Sequence, residues 1–272
     1  MVNKGIRILI VLSILIFLIG CTPATNKGVG FVNSGDFKQS LLDADGAGSY
    51  IGFYTLMDAS KDIPEIVAVA YENPLKLNSE PIVNVNFFEV RTGTAVANYA
   101  GGNFKQQILN IASKYKPKYI GVGNEVNLYG NIDEFALVYN DIYDAVKEAS
   151  PNTKIFTVFQ YDKLNDISII NKFKLDAVGV TTYPEIVGQK TDSIPADYYS
   201  TLKNIKKPII FTEMGVSSNQ ISFMDRMEKE FPNSILIWGL LYDVPSYGFP
   251  WDSMGLIKTD GARKDAYIRW TK

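Results

Sequence analysis

Two glutamates carry the strongest chemical signal in this sequence. Glu125 follows the apolar run Tyr119-Ile120-Gly121-Val122-Gly123 and a single asparagine, Asn124, while Glu213 follows Pro208-Ile209-Ile210-Phe211-Thr212. A carboxylate ending an apolar strand either enters the core, where it needs a partner or stays protonated, or opens into a cleft, where it is available for chemistry. Two carboxylates facing one another across a bound sugar can share the roles of acid, base and nucleophile. A gap of about 5–5.5 Å supports double displacement with retention, and about 6.5–9.5 Å leaves room for water and gives inversion. Residue types and spacing leave both outcomes open.

The rest of the composition removes the competing chemistries. The 272 residues include no histidine, which excludes Ser-His-Asp and Cys-His catalysis, the HExxH zinc site and histidine proton shuttling. Cys21 is the only cysteine, so neither an intrachain disulfide nor a thiolate metal cluster can form. Formal net charge is -2, which provides no basic field for nucleic acid. No GxGxxG or GxxxxGK[ST] loop occurs, and the nearest approach, Gly121-Val122-Gly123, continues into Asn124-Glu125. Paired carboxylates need no metal or organic cofactor.

The elements that must position these glutamates follow from the hydrophobic pattern. Short apolar runs alternate with amphipathic stretches, which argues an α/β fold with a parallel sheet. Strands are expected at 29–33, 50–56, 82–88, 119–123, 154–159, 177–182, 208–212 and 235–241. Between them, Phe104, Ile108, Ile111 and Tyr115 recur at helical spacing behind Asn103, a candidate N-cap. Phe135, Val138, Ile142 and Val146 do so after Asp133, and Met224, Met227 and Phe231 line a later helix. Eight βα units over 28–272 fit one closed (β/α)8 TIM barrel, with an open doubly wound sheet as the alternative. In a closed barrel, working residues sit at the C-terminal strand ends, and the fourth and seventh strands lie across its mouth. Glu125 and Glu213 end those two strands.

The first residues read as an address. Lys4 and Arg7 precede a nearly unbroken apolar run, 8–19, too short to span a bilayer comfortably and suited to a signal peptide. It ends in Leu18-Ile19-Gly20-Cys21, which resembles the bacterial lipoprotein box, in which the cysteine is lipidated and becomes the mature N-terminus. The expected organisation is a signal peptide over 1–20, a lipidated tether over 21–27 and the barrel over 28–272. Cleavage before Cys21 removes two of the 27 basic residues and none of the 29 acidic ones, giving a net -4 domain outside the cytoplasmic membrane and anchored to it by lipid.

The segments KYIGVGNEVN and PIIFTEMG resemble a clan of barrel glycosidases that includes endo-β-1,4-galactanases, cellulases and β-galactosidases. In that clan an Asn-Glu pair ends the fourth strand and a Glu ends the seventh. The resemblance implies Glu125 as acid/base, Asn124 as a donor to the sugar 2-hydroxyl and Glu213 as nucleophile. It further implies that Tyr183, in Thr181-Thr182-Tyr183-Pro184, hydrogen-bonds the nucleophile, and that Trp238 floors the subsite of the reacting sugar. Many clan members also carry a histidine near the site and an arginine ending the second strand. Here the second strand reads Phe53-Tyr54-Thr55-Leu56-Met57-Asp58, and Arg91, beyond the third, is the candidate substitute.

Further substrate contacts are expected from Glu89, from Gln160-Tyr161-Asp162 and from the aromatic stretch holding Tyr242, Asp243, Tyr247, Phe249, Trp251 and Asp252. Aromatic faces stack on sugar C–H faces, and carboxylates accept from hydroxyls. The expected activity is retaining hydrolysis of a β-linked poly- or oligosaccharide outside the cell. The alternatives are a transglycosidase on the same intermediate and a non-catalytic glycan-binding lipoprotein.

Overall fold

A computed structural model describes residues 26–58, 60–89, 94–95 and 103–272. Eight parallel strands form its centre: β1 Lys27–Gly30, β2 Tyr50–Leu56, β3 Glu80–Asn86, β4 Tyr119–Val122, β5 in two pieces (Lys154–Phe156 and Val158–Gln160), β6 Val178–Thr182, β7 Ile209–Met214 and β8 Ile235–Trp238. Each strand pairs with its sequence neighbours, and β1 pairs with both β2 and β8. The first piece of β5 pairs with β4 and the second with β6. Only Thr157 separates the two pieces, so the ends of the hydrogen-bonded series are one continuous segment and the sheet wraps on itself. The expected single strand over 154–159 is therefore bent at Thr157, whose carbonyl accepts from Gly179 N at 3.0 Å.

Side-chain alternation divides the core in two. Tyr50, Ile82, Phe156, Val158, Ala177, Ile210, Ile235 and Ile237 form one cluster inside the barrel. Their strand neighbours Ile51, Val83, Ile155, Val178, Phe211 and Leu236 face outward into the larger cluster beneath the helices. Glycine makes room for the inner aromatic ring, since a Cβ on Gly121 or Gly179 would sit 2.8 Å from Phe156.

The helices are α1 Phe37–Asp45, α2 Glu65–Glu72, α3 Asn103–Tyr115, α4 Ile132–Ala149, α5 Gln220–Glu230 and α6 Asp265–Trp270. The expected stripes are their buried faces: Phe104, Ile108 and Ile111 on α3, Phe135, Ile142 and Val146 on α4, and Met224 and Met227 on α5. Burying each such side chain stabilises the fold by roughly 1.5–3 kcal/mol. After β5 and β6 the outer ring is built from short 3-10 turns, among them Tyr161–Lys163, Ile167–Lys172 and Pro184–Val187. A two-stranded antiparallel ladder, Phe88–Glu89 with Thr94–Ala95, follows β3.

The barrel begins earlier than the pattern predicts. Lys27, expected in the tether, already pairs with Leu236 in β1. Its buried ammonium lies over the Trp270 ring, 5.4 Å from the centroid, and pairs with Glu228 at 3.5 Å. Cys21 and the rest of 1–25 lie outside the described residues. Among the described residues no helix is long and apolar enough to cross a membrane.

Candidate active site

The C-terminal ends of the strands open into a cleft of about 1070 Å³. Glu125 and Glu213 both line it, and two local backbone features bring them there. β4 ends at Val122, and the chain then turns through Gly123 at φ 84° and Glu125 at φ 53°. A Cβ on Gly123 would lie 2.6 Å from Val126, so glycine lets this turn close over the first residues leading to α4. A left-handed glutamate is strained, at a cost of order 1–3 kcal/mol, and such strain collects at functional sites.

β7 reaches the cleft by a bulge. Ile210 faces inward and Phe211 outward, so strict alternation would turn Glu213 outward. The pairing slips at this point: Phe211 is opposite Val180, and Glu213 is opposite Thr181, leaving Thr212 as an extra residue. That slip re-aims Glu213 into the barrel mouth. The Tyr54 hydroxyl donates to the Thr212 carbonyl and pins the bulge from β2.

Hydrogen bonds fix the carboxylates from several strands. Tyr183 Oη donates to Glu213 Oε2 at 2.5 Å, and Asn124 Nδ2 approaches Glu213 Oε1 at 3.4 Å. Thr181 Oγ1 donates to Glu125 Oε1 at 2.7 Å. Asn124 is itself held, since its N–H donates to Asn86 Oδ1 at 3.1 Å and its Oδ1 accepts from Asn84 Nδ2 at 2.9 Å. Asn84 Oδ1 is buried and has no hydrogen-bond partner. Gly239 leaves room for the tyrosine, because a Cβ there would lie 2.7 Å from Tyr183 Oη.

Both carboxyls are pushed up from the ordinary glutamate range. For Glu125 burial is the main cause, opposed by the Thr181 hydroxyl and the positive charge of Lys163, with Asp162 adding a smaller upward push. For Glu213 burial and then repulsion from Glu125 push the carboxyl up to about 8, opposed by Tyr183 and Asn124. The two groups titrate as one unit that keeps a proton into the neutral range. Burial and repulsion draw the shared proton toward Glu213, while its two donors, against the one at Glu125, favour placing the negative charge there.

Asn124, Tyr183, Glu89, Gln160 and Trp251 line the same cleft as the two glutamates. Trp251 meets Tyr183 edge to face at 6.0 Å. Gln160 is almost wholly buried and its amide is engaged internally, donating to Asp162 Oδ2 at 3.1 Å and accepting from Lys163 N at 2.9 Å.

Two expectations are corrected. Trp238 does not floor the cleft: it has no exposed surface, packs between Phe223 of α5 and Trp270 of α6, and donates to the Met254 carbonyl at 2.8 Å. Ile235 and Ile237 face inward on β8, so Trp238 faces the helices. Leu240 lines the cleft instead. Asp243 is turned away from the cleft and paired with Lys264 at 2.7 Å. Arg91 lies outside the described residues.

Sequence reasoning missed Tyr54, Asn84, Asn86 and Lys163, all of which line the cleft. Alternation held the signal for three of them. Phe53, Val83 and Val85 are outward apolar positions, so Tyr54, Asn84 and Asn86 are inward residues at strand ends. Tyr54 occupies the stretch where the clan's second-strand arginine was sought, and a neutral phenol stands there beside Glu213.

No family model matches the sequence, and no curated protein matches it. Solved structures do match its fold. The Ignisphaera aggregans GH53 catalytic domain superposes with TM-score 0.66 at 14% identity, covering 93% of this chain and 97% of that one. A family 39 glycoside hydrolase from Bacteroides cellulosilyticus gives TM-score 0.66 at 13% identity over 91% of this chain and 63% of that chain. A GH5_18 protein from Streptomyces cattleya, solved in complex with Manβ1-4GlcNAc, gives 0.66 at 13% identity over 91% and 79%. At these identities the likeness shows a shared TIM-barrel-like α/β fold.

Proposed function

We propose that this chain is a retaining glycoside hydrolase acting on a β-linked poly- or oligosaccharide by double displacement. One observation carries the reading: Glu125 and Glu213, from opposite strands, face one cleft, and Glu213 accepts from both Tyr183 and Asn124. The glycoside hydrolases among the structural neighbours support the same class.

In the first step ionised Glu213 attacks the anomeric carbon while protonated Glu125 gives its proton to the departing oxygen. In the second, Glu125, now ionised, takes a proton from water, and that water displaces Glu213 from the anomeric carbon. One proton held by two repelling carboxyls is the starting state this sequence of steps requires. Trp251 and Tyr247 offer aromatic surface for sugar faces, and the cleft has room for more than one sugar unit. The lipoprotein-box resemblance at Cys21 supports action outside the cytoplasmic membrane, on a tethered domain.

The test is incubation of the domain from Thr22 onward with aryl β-glycosides and β-linked polysaccharides, with the anomer first released followed by NMR. Release of the β-anomer supports the reading. Release of the α-anomer means inversion, and binding without release means a glycan-binding barrel.

A further inference from the structure

Asp162 lies just beyond β5, at the rim of the barrel mouth, and none of the proposed chemistry uses it. Its carboxylate accepts four hydrogen bonds. Oδ2 accepts from Tyr183 N at 2.5 Å and Gln160 Nε2 at 3.1 Å, and Oδ1 accepts from Thr182 Oγ1 at 2.9 Å and Tyr198 Oη at 2.7 Å. These donors come from the end of β5, the end of β6 and the segment leading to β7. A protonated carboxyl would have to donate into this ring of donors, so the geometry calls for the anion. Burying an anion is costly, and burial does push this carboxyl upward against its four donors. A leucine-like apolar contact would join these elements without that cost.

What the anion adds is direction. Tyr183 leaves β6 with its N–H fixed on Asp162 and its hydroxyl on Glu213 Oε2 at 2.5 Å. Gly239 lies against the hydroxyl end of the ring, so the tyrosine has little freedom once its backbone is fixed. We propose that Asp162 is a positioning residue that holds Tyr183 in place to donate to Glu213, so that the charge on Glu213 depends on a carboxylate it does not touch. The proposal deepens the double-displacement reading: its catalytic meaning rests on Glu213 as nucleophile, while the coupling of Asp162 to Glu213 through Tyr183 stands on the hydrogen bonds alone.

The sign of a titration shift tests it without any need for turnover. The titratable groups around Glu213 are Glu125, Tyr54 and Tyr183, and those around Asp162 are Tyr161, Tyr198, Tyr199 and Glu125. Carboxyl 13C NMR would follow Glu213 in the wild type, Asp162→Ala, Tyr183→Phe and the double variant. Losing the Tyr183 hydrogen bond raises the Glu213 midpoint, whereas merely losing the Asp162 charge lowers it. The expected result is an upward shift of about half to one pH unit in each single variant, with no further rise in the double. A fall or no change in Asp162→Ala, or additive rises, overturns the proposal.

Tyr198→Phe covers the case in which Asp162→Ala does not fold. It removes one donor to Asp162 without changing charge, and should raise the Glu213 midpoint by less. An unmoved midpoint in that variant also overturns the proposal. A wild type that cleaves no glycoside but titrates as described would sink the hydrolase reading and leave this one standing.

Discussion

Thr181 sits opposite Glu213 in the β6–β7 register and donates its hydroxyl to Glu125 at 2.7 Å. One threonine therefore ties the two carboxylates into a single framework: its backbone is paired with the strand that carries one, and its side chain holds the other. Thr181 is fully buried, so no solvent replaces that hydroxyl.

Thr181→Val should destabilise the fold by about 1.5–3 kcal/mol, because it strips a buried carboxyl of its hydrogen-bond donor. It should also raise the Glu125 midpoint and carry the alkaline limb of the pH–rate profile upward. Thermal melts and kcat against pH measure both effects, and an unmoved limb would show that the hydroxyl does not tune Glu125.

The charge on the pair also makes stability depend on pH. The Glu125–Glu213 pair holds its last proton up to about 8, against an ordinary glutamate value of 4.5. A raised carboxyl binds its proton more tightly folded than unfolded, so its contribution is intact below about 4.5 and is lost as pH climbs through about 8. Wild-type Tm should therefore fall across this window. Glu213→Gln leaves only the Glu125 charge, so its Tm relative to wild type should rise from pH 5 to pH 9. A constant gap between the two melting curves contradicts the assignment. Activity should likewise decline above about pH 8, as the last proton leaves the pair.

The two tryptophans near β8 should separate stability from binding. Trp238→Ala empties a fully buried site between α5 and α6 and should cost about 3–5 kcal/mol. Trp251→Ala removes a partly exposed ring at the cleft and should leave Tm nearly unchanged while raising KM for oligosaccharides. Melting curves with the reverse order would restore Trp238 to the cleft.

The proposed lipid anchor rests on Cys21. Cys21→Ser should abolish fatty-acid labelling and either release the protein from membranes or leave its precursor uncleaved. Undiminished labelling in that variant ends the lipoprotein reading.

The barrel was legible because buried parallel strands are short β-branched runs and the helices between them carry apolar stripes at a period of 3.6. Glu125 and Glu213 were legible as acids ending such runs. What could not be read is the geometry that makes Glu213 face the cleft. Counting alternation from Ile210 turns it outward, and only the extra residue Thr212 reverses it, a pairing irregularity with no composition signal. The same alternation, applied to β8, would have placed Trp238 outward, where it is found. The resemblance to known barrels pointed the other way. Tyr54, Asn84 and Asn86 were equally available from the inward parity of β2 and β3. Asp243 was not, because its partner Lys264 is 21 residues later, across a loop with no periodicity.

The separate roles of the two carboxylates give the most demanding test. On the proposed mechanism, Glu213→Ala should form no glycosyl-enzyme intermediate. Glu125→Ala should still form it from substrates whose leaving group needs no proton, such as activated aryl glycosides, but should then lack the base that activates water. Azide needs no such base. In Glu125→Ala it should attack the intermediate, restore turnover and give the β-glycosyl azide. In Glu213→Ala the space left by the side chain admits azide to the opposite face of the sugar, and direct displacement gives the α-azide. Each product reports which face was attacked, so a general loss of structure cannot imitate the pair of outcomes. Reversed products would exchange the roles of Glu125 and Glu213, and identical behaviour of the two variants of an active enzyme would remove the double displacement altogether.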